Sequence, residues 1–496
     1  MARYVYTGNY DSESVSVIDT TTNQVVGSPI PIDGKGYTMA ISPDGRTLYV
    51  GTNTSENLNL IDTQTNQAAG TIPIGISEAS TIAISPDGKK AYVASYSDES
   101  VVVVDLQAKA TVGSPIPTDG RPWGVAFSPD GKSALVTNEE KDTVSVIDTA
   151  TNQIVGEPIP VGENPINVIF STDGGTAYTT DQTSDTVSVI NVGAHQTVAS
   201  IKVGENPWGL GLTPDGKKLY VANLDESTVS VIDVATRQVV GDPIPVGDAP
   251  YELSSTPDGK SVYVVNYNSE DVTIINTATN QTSAVGIPGD PWQLTIVPDQ
   301  SPVASFAAKA SKKNSLSIGF SATATDPDGT VAVFDWNFGD GVLALNGGPA
   351  PTHKFAKAST YAVGLTAVDN EGCSGFLFTG RTAFCNGPGP VTQSLVVKAP
   401  NNFKFGKLIR NKKNGTAKLK VKVPYAGKLT LTGKKVKKVK KSAKKAGTVT
   451  LNIRPKPKAK KALATQGSAK VRIKVTFKPT GGKARSKGRS VKLIQN

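Results

Sequence analysis

One tripeptide, Pro-Asp-Gly, returns along the first 300 residues at an almost constant interval. Its proline falls at Pro43, Pro86, Pro129, Pro214, Pro257 and Pro298, and Thr172 takes the same place in "STDGG". Successive spacings are 43, 43, 43, 42, 43 and 41 residues. Nothing between these anchors has helical periodicity, so each unit must be a small set of short strands. In the copy from Trp208 to Val246, "WGLGLT" is a first strand and "PDG" a tight turn. "KKLYVAN" and "VSVID" are the second and third strands, and "QVVGDPIPV" is the fourth. Pro presets φ in such a turn, Asp bonds its own backbone and Gly takes the left-handed position. Pro243 and Pro245 suit an outer edge, where a missing N–H costs nothing.

Apolar residues occupy both faces of "VSVID": Val229 and Val231 share one, Ile232 lies on the other. A sheet wet on one side would alternate more strictly, so each unit is sandwiched between two others. A row of sandwiched sheets has two unpaired ends unless it closes. Second, third and fourth strands occur seven times, as do first strands, but the last first strand, "WQLTIV" (Trp292–Val297), has no successor. The N-terminal segment supplies the three strands that it lacks. The predicted fold is therefore an all-β, seven-bladed propeller closed by both ends of the segment. Aspartates that end third strands (Asp19, Asp62, Asp105, Asp148, Asp233) are read as turn formers, not metal ligands.

The tetrapeptides "YVAN" (Tyr220–Asn223), "YVVN" (Tyr263–Asn266), "LVTN" (Leu135–Asn138) and "YTGN" (Tyr6–Asn9), with "VSVID", "TNQVVG" and "SPDG" beside them, resemble the YVTN-repeat β-propellers of bacterial and archaeal surface proteins. The resemblance covers residues 2–300 and implies fold more than activity.

Two loop sets share one face of such a ring. Those between second and third strands are acidic, with Asp11, Glu13, Asp98, Glu139, Asp225 and Glu270 among them. Those leading into the inner strands place aromatics at one equivalent position: Tyr37, Trp123, Trp208, Tyr251 and Trp292, with Arg121, Glu163, Glu205 and Asp290 close by. Flat aromatic faces bind sugar rings or cations, and acidic loops favour cationic partners. The expected ligand site is thus the channel mouth, built from Tyr37, Trp123, Trp208, Tyr251, Trp292, Arg121 and Glu205, for a glycan or a basic peptide. The alternative is that each aromatic packs between inner strands. The chain has two histidines, His195 and His353, neither on that face, and residues 1–300 have no cysteine. With no nucleophile elbow, phosphate loop or metal spacing, the residues predict a non-catalytic protein, without metal or cofactor. A lactonase-like enzyme, which related propellers suggest, and a passive surface-layer component are the alternatives.

Beyond residue 300 the repeat stops. "DPDGTVAVFDWNFGDG" (Asp326–Gly341) and "STYAVGLTAVDNEG" (Ser359–Gly372) resemble the PKD domain, an immunoglobulin-like sandwich common in extracellular proteins. That implies a core Trp336 and a spacer or adhesion role over 301–400. Asp326 and Asp328 suit a plain turn better than calcium. "CSGFLFTGRTAFC" reads as an inserted hairpin closed by Cys373 and Cys385, with two free thiols as the alternative. Residues 401–496 carry 31 Lys and Arg and no acid, leaving the other 21 basic residues against all 42 acidic ones in 1–400. "AKLKVKV" and "KVRIKVTF" alternate as half-buried strands do, which predicts a small lysine-coated β-domain. "KKVKKVKKSAKK" and "RPKPKAKK" are expected to be loops. Its partner class is an anionic cell-wall polymer. Specific nucleic-acid binding is not expected, because aromatics for stacking are scarce. No apolar run spans a bilayer and "MARYVYTGNY" has no signal-peptide core. The expectation is an extracellular or cell-surface protein in three parts: 1–300, 301–400 and 401–496.

Overall fold

The computed structural model describes residues 4–76, 78–311, 315–381 and 383–496. The chain is nearly all β, and it divides into two compact units. The first comprises 1–303, 325–332 and 367–389; the second comprises 304–324, 333–366 and 390–496.

The first unit contains seven antiparallel sheets, each with its inner, second, third and outer strands in register order. Six are consecutive in the chain. The seventh joins Tyr4–Asn9 to Pro291–Ile296, with Val5 opposite Ile296, Tyr6 opposite Thr295 and Thr7 opposite Leu294. Inner strands touch their neighbours all the way round, including Pro291–Ile296 against Gly36–Ile41. The expected closure is therefore present, and the last inner strand has the three partner strands it lacked. Buried Val, Ile, Leu, Tyr and Ala side chains fill the spaces between blades.

The repeated polar residues act within this frame. Third-strand Asp or Asn side chains accept the backbone N–H groups of the next turn, as Asp62 does from Gln64 and Thr65 at 2.9 Å and Asn276 does from Ala278 at 3.0 Å. These bonds hold the carboxyls of Asp62, Asp148 and Asp233 below the usual carboxylate range. The Asn that ends "YVAN" donates from Nδ2 to two hydroxyls of the third strand, Thr228 and Ser230 for Asn223, each at 2.9 Å. The tyrosine of the same motif reaches the next blade. Tyr6, Tyr92 and Tyr263 donate to Asn66, Asn152 and Asn23 at 2.6–2.7 Å. The motif is thus explained by pairing within and between blades.

The outer strand differs from expectation. In four blades it is two short pieces, such as Gln238–Val239 and Ile244–Pro245, both paired to the third strand. These are the blades with Gly-x-Pro-Ile-Pro, where Gly27, Gly113, Gly156 and Gly241 take φ of 69–75°. The left-handed glycine and the prolines, which lack an N–H, interrupt the ladder. Blades without that sequence have one continuous outer strand, as in Gln67–Pro73 and Gln196–Lys202.

Cys373 and Cys385 are disulfide-bonded. The strands they close, Leu377–Phe378 and Ala383–Asn386, pair with each other, and the second runs parallel to Asp299–Gln300. This hairpin belongs to the first unit: Phe378 and Ala383 are buried with Tyr92, Val125, Phe127 and Val136.

In the second unit, Trp336 is buried at 1 % exposure and donates from Nε1 to the Gly348 carbonyl at 2.9 Å, the core role expected of it. His353 stacks on Phe338 and bonds Asp340 at 2.8 Å. Residues 404–494 form two sheets over a core that includes Phe403, Leu419, Leu429, Ile473 and Phe477. Two expected loops are corrected here. Val439–Ala443 is an edge strand on Gly427–Thr432, and Pro457–Gln466 is a helix stopped by Gly467 at φ 62°. Alternating Lys and Ala are good helix formers, and a proline in the first turn loses no hydrogen bond. No helix among the described residues is long and apolar enough to cross a membrane.

Candidate active site

The second residue of each inner strand points to one end of the channel. Tyr37, Trp123, Trp208, Tyr251 and Trp292 meet there in a closed circuit. Centroid distances around it are 6.1, 5.3, 5.0, 4.0 and 5.2 Å, ending on Tyr37 again. Tyr251 lies stacked on Trp292, and Trp123 meets Trp208 edge to face. Such contacts contribute about 0.5–1.5 kcal/mol per pair beyond burial. Trp208 is the most enclosed, at 8 % exposure; the other four are half-buried. The mouth is therefore an aromatic floor, with ring faces partly open to solvent.

Three further tyrosines flank this floor: Tyr10 beside Tyr37 and Trp292, Tyr96 beside Trp123, and Tyr267 beside Tyr251 and Trp292. Sequence reasoning missed them, although all three directly follow the last residue of the four-residue motif. Arg121 is exposed, pairs with Glu140 at 3.3 Å and lies 5.1 Å from the Tyr96 ring. Glu205 is also exposed, on the loop into the Trp208 strand.

At one side of the floor, ring closure brings together two carboxyls far apart in sequence. Asp11 follows the first strand; Asp290 precedes the last inner strand, and its carbonyl accepts the Tyr10 N–H at 2.9 Å. Lys35, on the next blade, donates to Asp11 at 2.7 Å and lies 4.5 Å from the Tyr10 centroid. The Lys35 bond, with one from Asp290, holds Asp11 below the usual carboxylate range. Partial burial, the Asp11 bond and the charges of Asp11 and Glu270 push Asp290 above it. Ring closure thus sets two carboxyls and an ammonium side by side at the rim of the aromatic floor. Lys35 was missed; its only sequence signal is its place two residues before Tyr37.

The channel is also closed beneath the floor. Thr379 and Gly380, in the disulfide-bonded hairpin, accept the N–H groups of Phe170 and Phe127 at 2.8 and 3.0 Å. A Cβ on Gly380 would lie 2.8 Å from that of Ala126. Arg381 then bonds Asn167 and reaches Glu252 at 3.1 Å. Both acceptors are third residues of inner strands, and both are buried. A void of about 30 Å³ remains beside them.

Among the described residues, Asp299, Asp369 and Cys373 are the set whose ligand atoms lie within 4.8 Å of one another. The Cys373 sulfur is spent in the disulfide, which leaves two carboxyls. Burial, then the charge of Asp369, pushes Asp299 up to about 8. Asp326 accepts the Gly329 N–H at 3.2 Å, as a turn residue does. Asp328 accepts the Gln300 N–H at 3.1 Å and is pushed up by burial to about 6.

Comparison with known proteins agrees with this architecture. Residues 40–165 match the family described as lactonase, 7-bladed beta-propeller, and residues 299–379 match the PKD domain. The chain carries a lactonase-type propeller and a PKD domain. Solved structures with the same fold include a putative 6-phosphogluconolactonase of Bacteroides uniformis (18 % identity, 59 % of this chain and 99 % of that one, TM-score 0.51). The periplasmic gluconolactonase of Pseudomonas aeruginosa is similar (22 %, 59 % and 98 %, 0.52), as is a chain of Kuenenia stuttgartiensis hydrazine synthase (26 %, 56 % and 93 %, 0.51). A microbial collagenase of Vibrio alginolyticus is 37 % identical over 82 residues, and the chain spans only 10 % of that relative's length. These matches carry the lactonase-type ring and the PKD domain; the finer YVTN, surface-layer resemblance does not come from them.

The expectation of a non-catalytic protein is corrected by the lactonase family match over residues 40–165. That expectation rested on missing His, Cys and Ser machinery. Ester hydrolysis through activated water needs no covalent nucleophile, and a carboxyl pair brought together by ring closure has no local motif.

Proposed function

We propose that the propeller hydrolyses lactones at its aromatic mouth, with Asp11 and Asp290 as the acid–base pair. The observation that carries this reading is the placement of Asp11, Asp290 and the Lys35 ammonium, bonded to Asp11 at 2.7 Å, together at the rim of the aromatic floor. The lactonase match over 40–165 supports the reaction class. A sugar-like lactone ring packs against the half-buried aromatic floor beside Lys35, so the glycan expected at this mouth becomes the substrate class. The ionised Asp11 takes a proton from water as the water oxygen bonds to the lactone carbonyl carbon. Lys35 stabilises the oxyanion that forms. The ring C–O bond then breaks, and Asp290 gives its proton to the departing alkoxide. The proton on Asp11 passes to Asp290 across their shared hydrogen bond, restoring the pair and leaving a hydroxy acid. General acid–base catalysis of this kind contributes about 10²–10⁴-fold. The PKD match and the disulfide favour work in an oxidising, extracellular setting.

The test is acid release from glucono-1,5-lactone, followed by pH-stat with the spontaneous rate subtracted. Asp11→Asn and Asp290→Asn should each lower kcat about 10²-fold or more while KM, set by the aromatic floor, changes little. Parent protein that never exceeds the spontaneous rate on aldonolactones, or variants that keep parent kcat, refutes the assignment.

A further inference from the structure

The strand Ser468–Pro479 alternates without a break: Ala469, Val471, Ile473, Val475 and Phe477 are buried, and Lys470, Arg472, Lys474 and Lys478 are exposed. Residues two apart on a strand stand about 7 Å apart on one face. Lys470, Arg472 and Lys474 therefore form a straight row of cations at that spacing. The adjoining strand, Arg485–Ile494, sets Ser490 opposite Arg472, Gly488 opposite Lys474 and Ser486 opposite Thr476. Small residues flank Arg472 and Lys474 on that side, where Lys492 stands opposite Lys470, and Lys434 and Lys435 stand along the other. Together they bound an open cavity of about 570 Å³.

This is a fixed array rather than a charged tail. Its strand is central in its sheet, between Gly427–Thr432 and Arg485–Ile494, and its apolar face fills the core. Residues 401–496 contain no acid, and among the described residues none of these five cations takes part in an ion pair. Like charges held in one row repel, and that cost is relieved by a bound polyanion.

We infer that this trough binds a linear, base-free phosphodiester polymer, one phosphate per cation of the row. A chain of phosphates joined by three-carbon linkers repeats at a distance comparable to that of the cations. The hydroxyls of Ser486, Ser490 and Thr476 stand beside the row to donate to phosphate oxygens. A single-stranded nucleic acid needs aromatic faces on which to stack its bases. Among the described residues none lines this trough: Phe403 and Phe477 are fully buried, Phe405 lies on the other sheet with Arg489 5.8 Å from its ring, and Tyr425 accepts the Ala358 N–H at 3.0 Å. This inference stands apart from the lactone reading, since no residue is shared.

The test uses the full chain and measures binding of poly(glycerol phosphate), polygalacturonate and oligo(dT), matched in charge, between 0.05 and 0.5 M salt. Poly(glycerol phosphate) should bind tightest, with a log K against log salt slope of about −3.5 for five contacts, three from the row and two from Lys434 and Lys435. The K470S/R472S/K474S variant should lose at least ~10-fold at 0.15 M salt, given charge-assisted contacts of about 1.5 kcal/mol or more in total. The K418S/K420S/K422S variant, which removes an equal charge from Thr416–Val423 on the other sheet, should lose much less. Circular dichroism melts establish that both triples remain folded. Equal losses in the two triples, or tighter binding of either competing polymer, overturn the proposal.

Discussion

Replacing Arg381 by Met removes the cation that the hairpin sends into the channel and leaves its partner in place. The Arg381 and Glu252 side chains are 11 % and 4 % exposed, and their atoms lie 3.1 Å apart. Without Arg381, Glu252 keeps, among the described residues, a long bond from Asn167 at 3.4 Å and one from the Leu253 N–H at 3.2 Å. Removing one partner of a buried pair costs about 3–5 kcal/mol, because the other charge remains desolvated. Methionine preserves most of the aliphatic volume, so little of that loss is packing. The expected fall in melting temperature is roughly 5–15 °C, followed by near-UV circular dichroism of the propeller tryptophans. Neutralising both ends in Arg381→Met/Glu252→Gln should recover most of the loss, since no unpaired charge remains. A single variant melting within about 1 °C of the parent, or a double variant no better than the sum of the singles, would show that the pair does not hold the plug.

Other consequences can be checked on the same protein. On the proposed function, the rate of lactone hydrolysis should be bell-shaped in pH. It falls at low pH as Asp11, held below the usual range, takes up a proton, and at higher pH as Asp290, held above it, loses one; a profile flat from pH 3 to 7 is the contrary result. Reducing Cys373–Cys385 with a dithiol should destabilise the first unit by about 3 kcal/mol, the loop-closure figure for a segment of this length, measured as a shift of the urea midpoint. Asp181 stands where four other blades have Asn (Asn9, Asn138, Asn223 and Asn266), and burial raises its carboxyl above the usual value despite three hydroxyl donors. Its contribution to stability is therefore largest below the unfolded-state pKa of about 3.9 and declines as pH rises through the raised folded value. Asp181→Asn should raise the melting temperature at pH 7, by on the order of 1 kcal/mol in stability, and flatten that pH dependence.

The ring was legible in the sequence because each blade is a local object. Its period, its Pro-Asp-Gly turns and its two apolar faces recur within 43 residues, and the mismatch between strand counts required Tyr4–Asn9 to pair with Pro291–Ile296. The five floor aromatics were equally visible, since they share one register position. Lys35 was not, because a single lysine in one blade breaks no pattern. Asp11 and Asp290 were visible as residues, yet not as a pair: 279 positions separate them, and only the closing blade places one beside the other. Arg381 was visible only as part of an inserted hairpin, for the same reason. Periodicity, turn chemistry and charge are properties of neighbouring residues and can be read along the chain. Which carboxyl faces which, and which loop enters the channel, depends on contacts between distant segments, so those features were decided only when the ring closed.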